Sequence, residues 1–362
     1  MLQKYALVLL SFSFSLSFGQ QKNVALNADS WTVHKNTSAE FEEVQGRNTL
    51  FLNGRVTLKD FSFLNGTLQV DILANSSRSF AGIFFRSQQE TSEEVYLRMH
   101  KSKQPDAVQY TPLYHGESNW QLYREHQVKV PFKEKGWNTL KITILNNAAK
   151  VYVNDDFVME VAHLKTGNNV GSVGLWALFG NRFSNFSYTE GFDFTPKFKY
   201  PQQVDSNIIS QWEISEPHSY HEKAYEKDFT KEVYQKASTE VSGLLPIGKY
   251  VEKPSRANFD KNKEDYVVLQ LNIRSDKNQL KKFFFDYSDK AIIFLNKTEL
   301  FRGNNAFRSK GIQHKGHTDI EANTLTLTLK KGINVLHVMV IEKANGWGFL
   351  GKFENRDDIS IP

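Results

Sequence analysis

Alternation of apolar and polar residues with a period of two most limits how this chain of 362 residues can fold. Such alternation places every second side chain on one face of a β-strand, so that the strand is buried on one side only. Clear runs of this kind occur at residues 67–72, 140–144, 324–329 and 336–340. Asn-Gly pairs at 53–54 and 65–66 favour tight hairpin turns between strands. The sequence therefore predicts an all-β fold built from β-sandwiches.

The length of the chain suggests two domains rather than one. Strand patterns are weakest between residues 191 and 254, where four prolines occur and where residues 219–237 are rich in Glu and Lys. We expect two β-sandwich domains joined by a polar, partly helical junction. The predicted boundaries are 1–20 for a signal peptide, 21–195 for the first sandwich, 196–245 for the junction and 246–362 for the second sandwich.

The N-terminal residues have the features of an export signal. Lys4 precedes an apolar run that continues, with interspersed serines, to Phe18. The run is too short for a membrane-spanning helix and is typical of a cleaved signal peptide. The chain has no cysteine, which excludes a lipoprotein anchor, disulfides and thiolate metal sites. The sequence predicts a periplasmic or secreted protein with no membrane span.

Charge and motif patterns narrow the classes of partner. The net charge of +5 is small for this length, and no basic stripe follows a strand or helix, so nucleic acid is not an expected partner. No His-x-His or His-Glu-x-x-His spacing indicates zinc, and no glycine-rich loop indicates a phosphate. We predict no cofactor and no metal.

Two segments of the first domain suggest a sugar-binding surface. Residues 80–86 and 95–100 have strand patterns, and a period of two places Tyr96, Arg98 and His100 on one face. Aromatic rings stack on the apolar faces of sugars, and planar polar groups bond to sugar hydroxyls. The alternative is cross-strand pairing that needs no ligand. The predicted glycan-binding residues are Arg86, Tyr96, Arg98, His100, Gln109, Tyr110 and Trp120.

Residues 81–86, 96–101 and 105–112 together resemble the concanavalin A-like lectin/glucanase superfamily. The resemblance covers about residues 31–188 and is greatest to the laminin-G-like and 3-keto-disaccharide-hydrolase-like (DUF1080) branches. It implies a two-sheet jelly roll with a concave face suited to a saccharide. The Glu-x-Asp-x-x-Glu motif of the laminarinase-type members is absent. Acidic residues near the predicted face, none singled out by spacing, are Glu93, Glu94, Asp106, Glu117 and Glu125.

The second domain resembles galactose-binding-domain-like sandwiches. The resemblance rests on an apolar run at 291–295, Asn296 and the sequence Leu-Phe-Arg-Gly at 300–303, although Lys297 stands where glycine is usual. It implies a possible sugar site at the ends of loops, with structural ion pairs as the alternative role for the arginines. The candidate residues are Asp289, Arg302, Asn304, Arg308 and Trp347.

Three functions remain open from the sequence. The first is an exported, non-catalytic protein that binds an oligo- or polysaccharide on the sheet face of the first domain. The second is a glycoside hydrolase, or a lyase or hydrolase of 3-keto-glycosides, acting on the same face. The third is a structural or adhesion protein. The absence of a recognisable catalytic set favours the first.

Overall fold

The computed structural model describes residues 20–192, Lys197, 205–255 and 263–362. Residues 1–19, which carry most of the predicted signal peptide, lie outside this part of the chain, so export stays a prediction. The predicted all-β fold with two sandwiches is confirmed. No helix within the described residues has the length and apolar character needed to cross a membrane.

The first sandwich contains fourteen strands. They are β1 (Lys22–Asn23), β2 (Trp31–Val33), β3 (Ser38–Val44), β4 (Arg47–Leu58), β5 (Gly66–Leu73), β6 (Phe80–Gln88), β7 (Thr91–Leu97), β8 (Val108–Tyr114), β9 (Glu117–Ser118), β10 (Gln127–Val128), β11 (Trp137–Leu145), β12 (Ala148–Val153), β13 (Asp156–Val161) and β14 (Ser172–Glu190). The central order is β10-β8-β7-β6-β14-β5-β11-β12-β13, with β4 paired along both halves of β14.

Strand β14 connects the two halves of this curled sheet. Its first half pairs with β6 and its second half with β5, and both halves face one apolar core. The register between β14 and β4 shifts between Ala177 and Asn181. Phe179 and Gly180, inside this bulge, have positive φ angles of 67° and 75°. A bulge bends a strand and redirects its side chains, which becomes important at the site below.

The second sandwich contains twelve strands in two packed sheets. They are β15 (Gln211–Ser215), β16 (His218–Ser219), β17 (Tyr234–Ser238), β18 (Leu244–Pro246), β19 (Asp265–Ser275), β20 (Gln279–Ser288), β21 (Lys290–Leu295), β22 (Thr298–Asn304), β23 (Asn323–Leu329), β24 (Gly332–Glu342), β25 (Gly348–Phe353) and β26 (Ile359–Ser360). One sheet has the order β17-β15-β19-β24-β21-β22 and the other β18-β25-β20-β23. A single apolar core lies between them.

The helical character of the junction is limited to short 3₁₀ turns. Residues 219–237 form two short 3₁₀ turns, Ala224–Glu226 and Phe229–Lys231, followed by strand β17. They lack an apolar stripe at helical spacing, so a helix there would bury little. Phe229 instead packs its ring against Phe294. Strands β15 and β17 pair into the sheet of the second sandwich, which therefore begins well before residue 246.

Candidate functional site

The face of the first sandwich that points away from its core carries rows of aligned side chains. Antiparallel register places Trp176 of β14 beside Gly82 of β6, and Gly82 beside Tyr96 of β7. The Trp176 and Tyr96 rings meet edge to face with centroids 5.0 Å apart. A Cβ atom at Gly82 would lie 2.6 Å from the Cβ of Tyr96, so glycine is what allows the strands to approach here.

Four rings on this face form a connected row, which we call the aromatic platform: Phe80, Tyr96, Trp176 and Phe179. Tyr96 is buried and supports the row, and the accessible part consists of Phe179 with the half-buried Phe80 and Trp176. Phe80 lies 6.2 Å from Tyr96 and 6.1 Å from Phe179, between ring centroids. Phe179 is 53% exposed because the β14 bulge lifts it out of the sheet. The backbone N–H of Phe179 donates a hydrogen bond of 3.1 Å to the side-chain oxygen of Asn53. An open ring in this position is available for contact with an apolar surface.

Cationic and polar groups frame the platform. The guanidinium of Arg78 lies 4.9 Å from the Phe179 centroid and 5.8 Å from that of Phe80. Arg98 lies 5.3 Å from Phe80 on another side and pairs with Asp106. His100 packs edge-on against Phe80 at 5.3 Å, and partial burial lowers its pKa despite a bond to the carbonyl of Ser79. The frame therefore offers fixed hydrogen-bond donors around an apolar centre.

The opposite end of the same face holds a buried carboxyl group. Glu94 accepts a hydrogen bond of 2.6 Å from Arg55, whose guanidinium also lies 4.1 Å from the Phe84 centroid. Burial raises the pKa of Glu94, and the Arg55 charge opposes that rise. A further carboxylate of this region, Asp106, pairs with Arg98, which follows Glu94 by four residues along the chain. Four residues of extended chain span roughly 13 Å, which separates the backbone positions of Glu94 and Arg98.

The partners of these two carboxylates bear on the chemistry of the face. Glycosidases that use two carboxylates hold them about 5 to 9.5 Å apart. Glu94 and Asp106 are instead each paired with a separate arginine. In the part of the chain that the structure describes, no three His, Cys, Asp or Glu side chains are grouped to hold a metal ion. On this face, Glu94 and Asp106 are therefore each engaged with a cation, and the exposed surface beside them is aromatic.

Comparison with known families supports the sugar-related interpretation of this fold. A family model matches residues 26–185, less than half of the chain. The family is the 3-keto-alpha-glucoside-1,2-lyase-like domain. The predicted resemblance to this branch is confirmed, and residues 26–185 are called the lyase-like domain below. The laminin-G-like and galactose-binding-like resemblances stay predictions. No curated protein matches the sequence.

Several solved structures are similar to a part of this chain that covers just under half of its length. Carbohydrate binding module CBM66 from Bacillus subtilis is 17% identical, with 44% of this chain and 96% of that chain covered and a TM-score of 0.34. A prokaryotic beta-1,3-1,4-glucanase (lichenase) from a mouse hindgut metagenome is 10% identical, with 48% and 99% covered and a TM-score of 0.35. The beta-glucanase of Bacillus licheniformis is 12% identical, with 48% and 92% covered and a TM-score of 0.31. Likeness at this level says nothing about the ligand of this chain.

Four of the seven predicted glycan-binding residues lie on the platform face or at its edge. Tyr96 is part of the platform, and Arg98 and His100 frame it. Gln109 points to the same side but is buried, where its amide oxygen accepts a bond of 3.0 Å from the Tyr96 hydroxyl. Gln109 therefore orients Tyr96 and offers no surface of its own.

The other three predicted residues lie elsewhere. Arg86 is fully buried, because a bulge and a φ of 51° turn its side chain toward the carbonyl oxygen of Leu64 at 2.6 Å. Tyr110 faces the core, as period-two geometry requires for the neighbour of Gln109, and donates to Glu93. Trp120 packs at the contact between the two domains, with its indole N–H 2.9 Å from the side-chain oxygen of Asn345.

The five candidates of the second domain do not form one site. Asp289 and Trp347 are buried, and the Trp347 indole N–H donates to the carbonyl of Val340. Arg302 is exposed and paired with Glu299. Asn304 caps the backbone N–H of Ala306 from its side chain. Arg308 lies in a separate loop that reaches the lyase-like domain.

Sequence reasoning missed Phe80, Trp176, Phe179 and Arg78. Trp176 carried a usable signal. With a period of two, Val173, Leu175 and Ala177 share one face of the strand, so Trp176 is a large aromatic residue on the opposite face. Phe179 had none, because its exposure depends on a bulge that local sequence does not specify. Glu93 and Glu94, which the sequence placed near the predicted face without a role, are both buried.

Proposed function

We propose that this is an exported carbohydrate-binding protein that recognises a glycan on the aromatic platform of the lyase-like domain. The observation that carries the proposal is the exposed Phe179 ring, continuous with the half-buried Phe80 ring and flanked by Arg78 and Arg98. The rings match the apolar face of a sugar, and the guanidinium groups match its hydroxyls.

The mechanism is recognition by pre-formed groups. Gln109 holds the Tyr96 hydroxyl, and Asp106 holds Arg98, so both side chains are ordered before a ligand arrives. Groups that are already ordered lose little conformational entropy on binding. Phe179 is fixed through its backbone by Asn53. Binding is therefore expected to leave the sheet unchanged.

A glycan screen of the full mature chain, with release of reducing sugar measured in the same wells, tests the proposal. Binding without release is the expected result. Release of sugar would instead support the second candidate below. The absence of both signals would count against a glycan role and favour protein contacts, the third function left open by the sequence.

Phe179→Ala is expected to weaken binding of the glycan found in that screen by about tenfold, since a truncated aromatic anchor commonly costs 1 kcal/mol or more. Phe157→Ala is a matched control, because Phe157 is also an exposed phenylalanine of the same domain, 56% exposed on β13. Isothermal titration of both variants measures the effect. Equal losses in the two variants, or none in Phe179→Ala, would contradict the platform assignment.

A glycoside-cleaving enzyme is the second candidate, and Glu94 is the observation that favours it. Burial raises the pKa of Glu94 against the opposing charge of Arg55, and a carboxyl group with a raised pKa is the type of group that acts as a general acid. The family that matches residues 26–185 is also a 3-keto-alpha-glucoside-1,2-lyase-like domain. If the screen releases sugar, Glu94→Gln is expected to abolish that release while binding on the platform persists.

A further inference from the structure

The edge of the aromatic platform lies directly against a loop of the second sandwich. Trp120 of the lyase-like domain meets the rings of Phe307 and His317 edge to face, at 5.7 and 5.9 Å between centroids. The side-chain amide of Gln121 donates to the carbonyl of Lys315 at 2.9 Å. Residues 305–317 are therefore held against the lyase-like domain beside Trp120 and Gln121.

This junction concentrates positive charge, in what we call the junction cluster: Arg98, Lys101, Arg124, Arg308 and Lys315. Arg308 and Lys315 lie 5.0 and 5.8 Å from the Phe307 centroid. Arg98 lies 5.5 Å from Trp120 and 5.3 Å from Phe80, so it joins the cluster to the platform.

One carboxylate, Asp106, balances part of this charge. It pairs with Arg98 and, at 3.9 Å, with Lys101. Among the described residues, Arg124, Arg308 and Lys315 form no ion pair. Unbalanced like charges at a junction repel one another, and a bound anion relieves that repulsion.

Burial and the positive charges of the cluster both act to lower the pKa values of neighbouring groups. The pKa of Lys315 is lowered, first by burial and then by the charges of Lys101, Arg98 and Arg308. The pKa of His317 is lowered to about 4, first by burial and then mainly by Arg124, with Asp106 opposing. His317 is thus neutral at physiological pH, and its ring nitrogen lies 3.1 Å from the Gln127 amide nitrogen.

We infer that the junction cluster binds the carboxylate or sulfate groups of an acidic glycan whose sugar rings lie on the aromatic platform. The inference rests on the proposed function and adds the substrate class and the role of the second sandwich. The position of Arg98 favours a glycan over a small anion. Arg98 lies between Phe80 of the platform and Trp120 at the junction, so that one extended ligand can contact both surfaces. The second sandwich then supplies part of one composite site, through Phe307, Arg308 and Lys315.

The double variant Arg308→Gln/Lys315→Gln tests the inference, with polygalacturonate as the acidic probe and laminarin as the neutral one. Both residues belong to the second sandwich and lie outside the platform. We expect affinity for polygalacturonate to fall at least tenfold and to become less sensitive to salt, because two charge-assisted contacts are lost. Lys330→Gln/Lys331→Gln removes the same charge from an exposed turn elsewhere on the second sandwich and is expected to bind like the native chain.

The outcomes separate this inference from the proposed function. If the native chain binds laminarin but not polygalacturonate, or if both double variants bind polygalacturonate equally, the junction inference is overturned and the platform stands. If Phe179→Ala keeps full affinity while Arg308→Gln/Lys315→Gln loses it, the junction is supported and the platform is not. Preference of the native chain for single-stranded DNA over polygalacturonate would overturn the inference in favour of a nucleic-acid partner.

Discussion

Replacement of Glu93 by alanine is expected to lower the free energy of unfolding by about 3–5 kcal/mol, the usual cost of removing one partner of a buried charge. Glu93 and Arg86 are both fully buried. Burial lowers the pKa of Arg86, and the negative charge of Glu93 opposes that effect. Without Glu93, the interior of the lyase-like domain would hold a guanidinium charge with no compensating carboxylate.

Hydrogen bonds add to this cost. Glu93 accepts bonds from the hydroxyl of Tyr110 and from both the backbone N–H and the hydroxyl of Thr166, the last two at 2.9 and 2.7 Å. The Nε and Nη1 atoms of Arg86 have no hydrogen-bond partner within the described residues, so the guanidinium depends on charge compensation. Glu93 thereby ties β7 to β8 and to the loop that follows β13.

Urea denaturation of Glu93→Ala and Glu93→Gln measures the loss of stability. Comparison of the two variants separates the contribution of the charge from that of the hydrogen bonds. The glutamine variant can keep an acceptor oxygen but loses the charge, so its cost reports the interaction with Arg86. Glu43→Ala on the exposed side of β3 is the matched control and is expected to change stability by less than about 0.5 kcal/mol. Native-like stability of both Glu93 variants would show that Arg86 does not need this carboxylate.

Glu342→Gln is expected to stabilise the protein at alkaline pH by about 1–3 kcal/mol and to flatten its pH dependence. Glu342 and Asp289 are buried beside each other in the second sandwich. Burial raises the pKa of Asp289 to about 6 and holds the pKa of Glu342 well above its ordinary value, and Asp289 raises the latter further. The nearby Lys253 charge opposes both shifts.

The sign follows from proton linkage. A carboxyl group whose pKa is higher in the folded state binds more protons when folded, so the stability it contributes is full below its unfolded pKa. For Asp289, that contribution is lost as pH rises from about 4 through 6. For Glu342, the loss extends to higher pH. The native chain should therefore lose stability at this pair as pH rises from about 4 through 6, where Asp289 titrates, and again at higher pH, where Glu342 titrates.

Thermal unfolding across that pH range checks the prediction. A glutamine at 342 stays neutral and can still accept the bond of 3.0 Å from the backbone N–H of Gly346. The exposed Glu354→Gln is the control and should follow the native pH curve. A Glu342→Gln variant that also followed it would mean that the buried pair does not set the pH dependence.

Local alternation was enough to predict the fold class, because each strand needs one buried face whatever its partners are. It correctly placed Leu97 and Tyr96 on opposite faces of one strand. It also predicted a strand at residues 325–329, which lie in β23. The same rule failed at Arg86, where a bulge broke the period of two. It was also misapplied at Gln109 and Tyr110, which are consecutive in one strand and cannot share a face.

The candidate site was only partly predictable because it is assembled from distant segments. Phe80 and Phe179 lie about one hundred positions apart and meet only when β14 pairs with β6. Trp120 was predicted to bind the glycan, but the second sandwich covers it. No sequence pattern in the first domain predicts that contact. Such contacts depend on strand order and domain packing, which alternation does not encode.

The most direct test of the central claim is a crystal structure of the mature protein with an oligosaccharide from the binding screen. The account predicts that a sugar ring stacks on Phe179 and Phe80, with its hydroxyls bonded to Arg78 or Arg98. It would be contradicted by a sugar bound elsewhere, for example in the interdomain cleft of about 480 Å³ that Leu164, Lys165 and Glu240 line, with the platform empty.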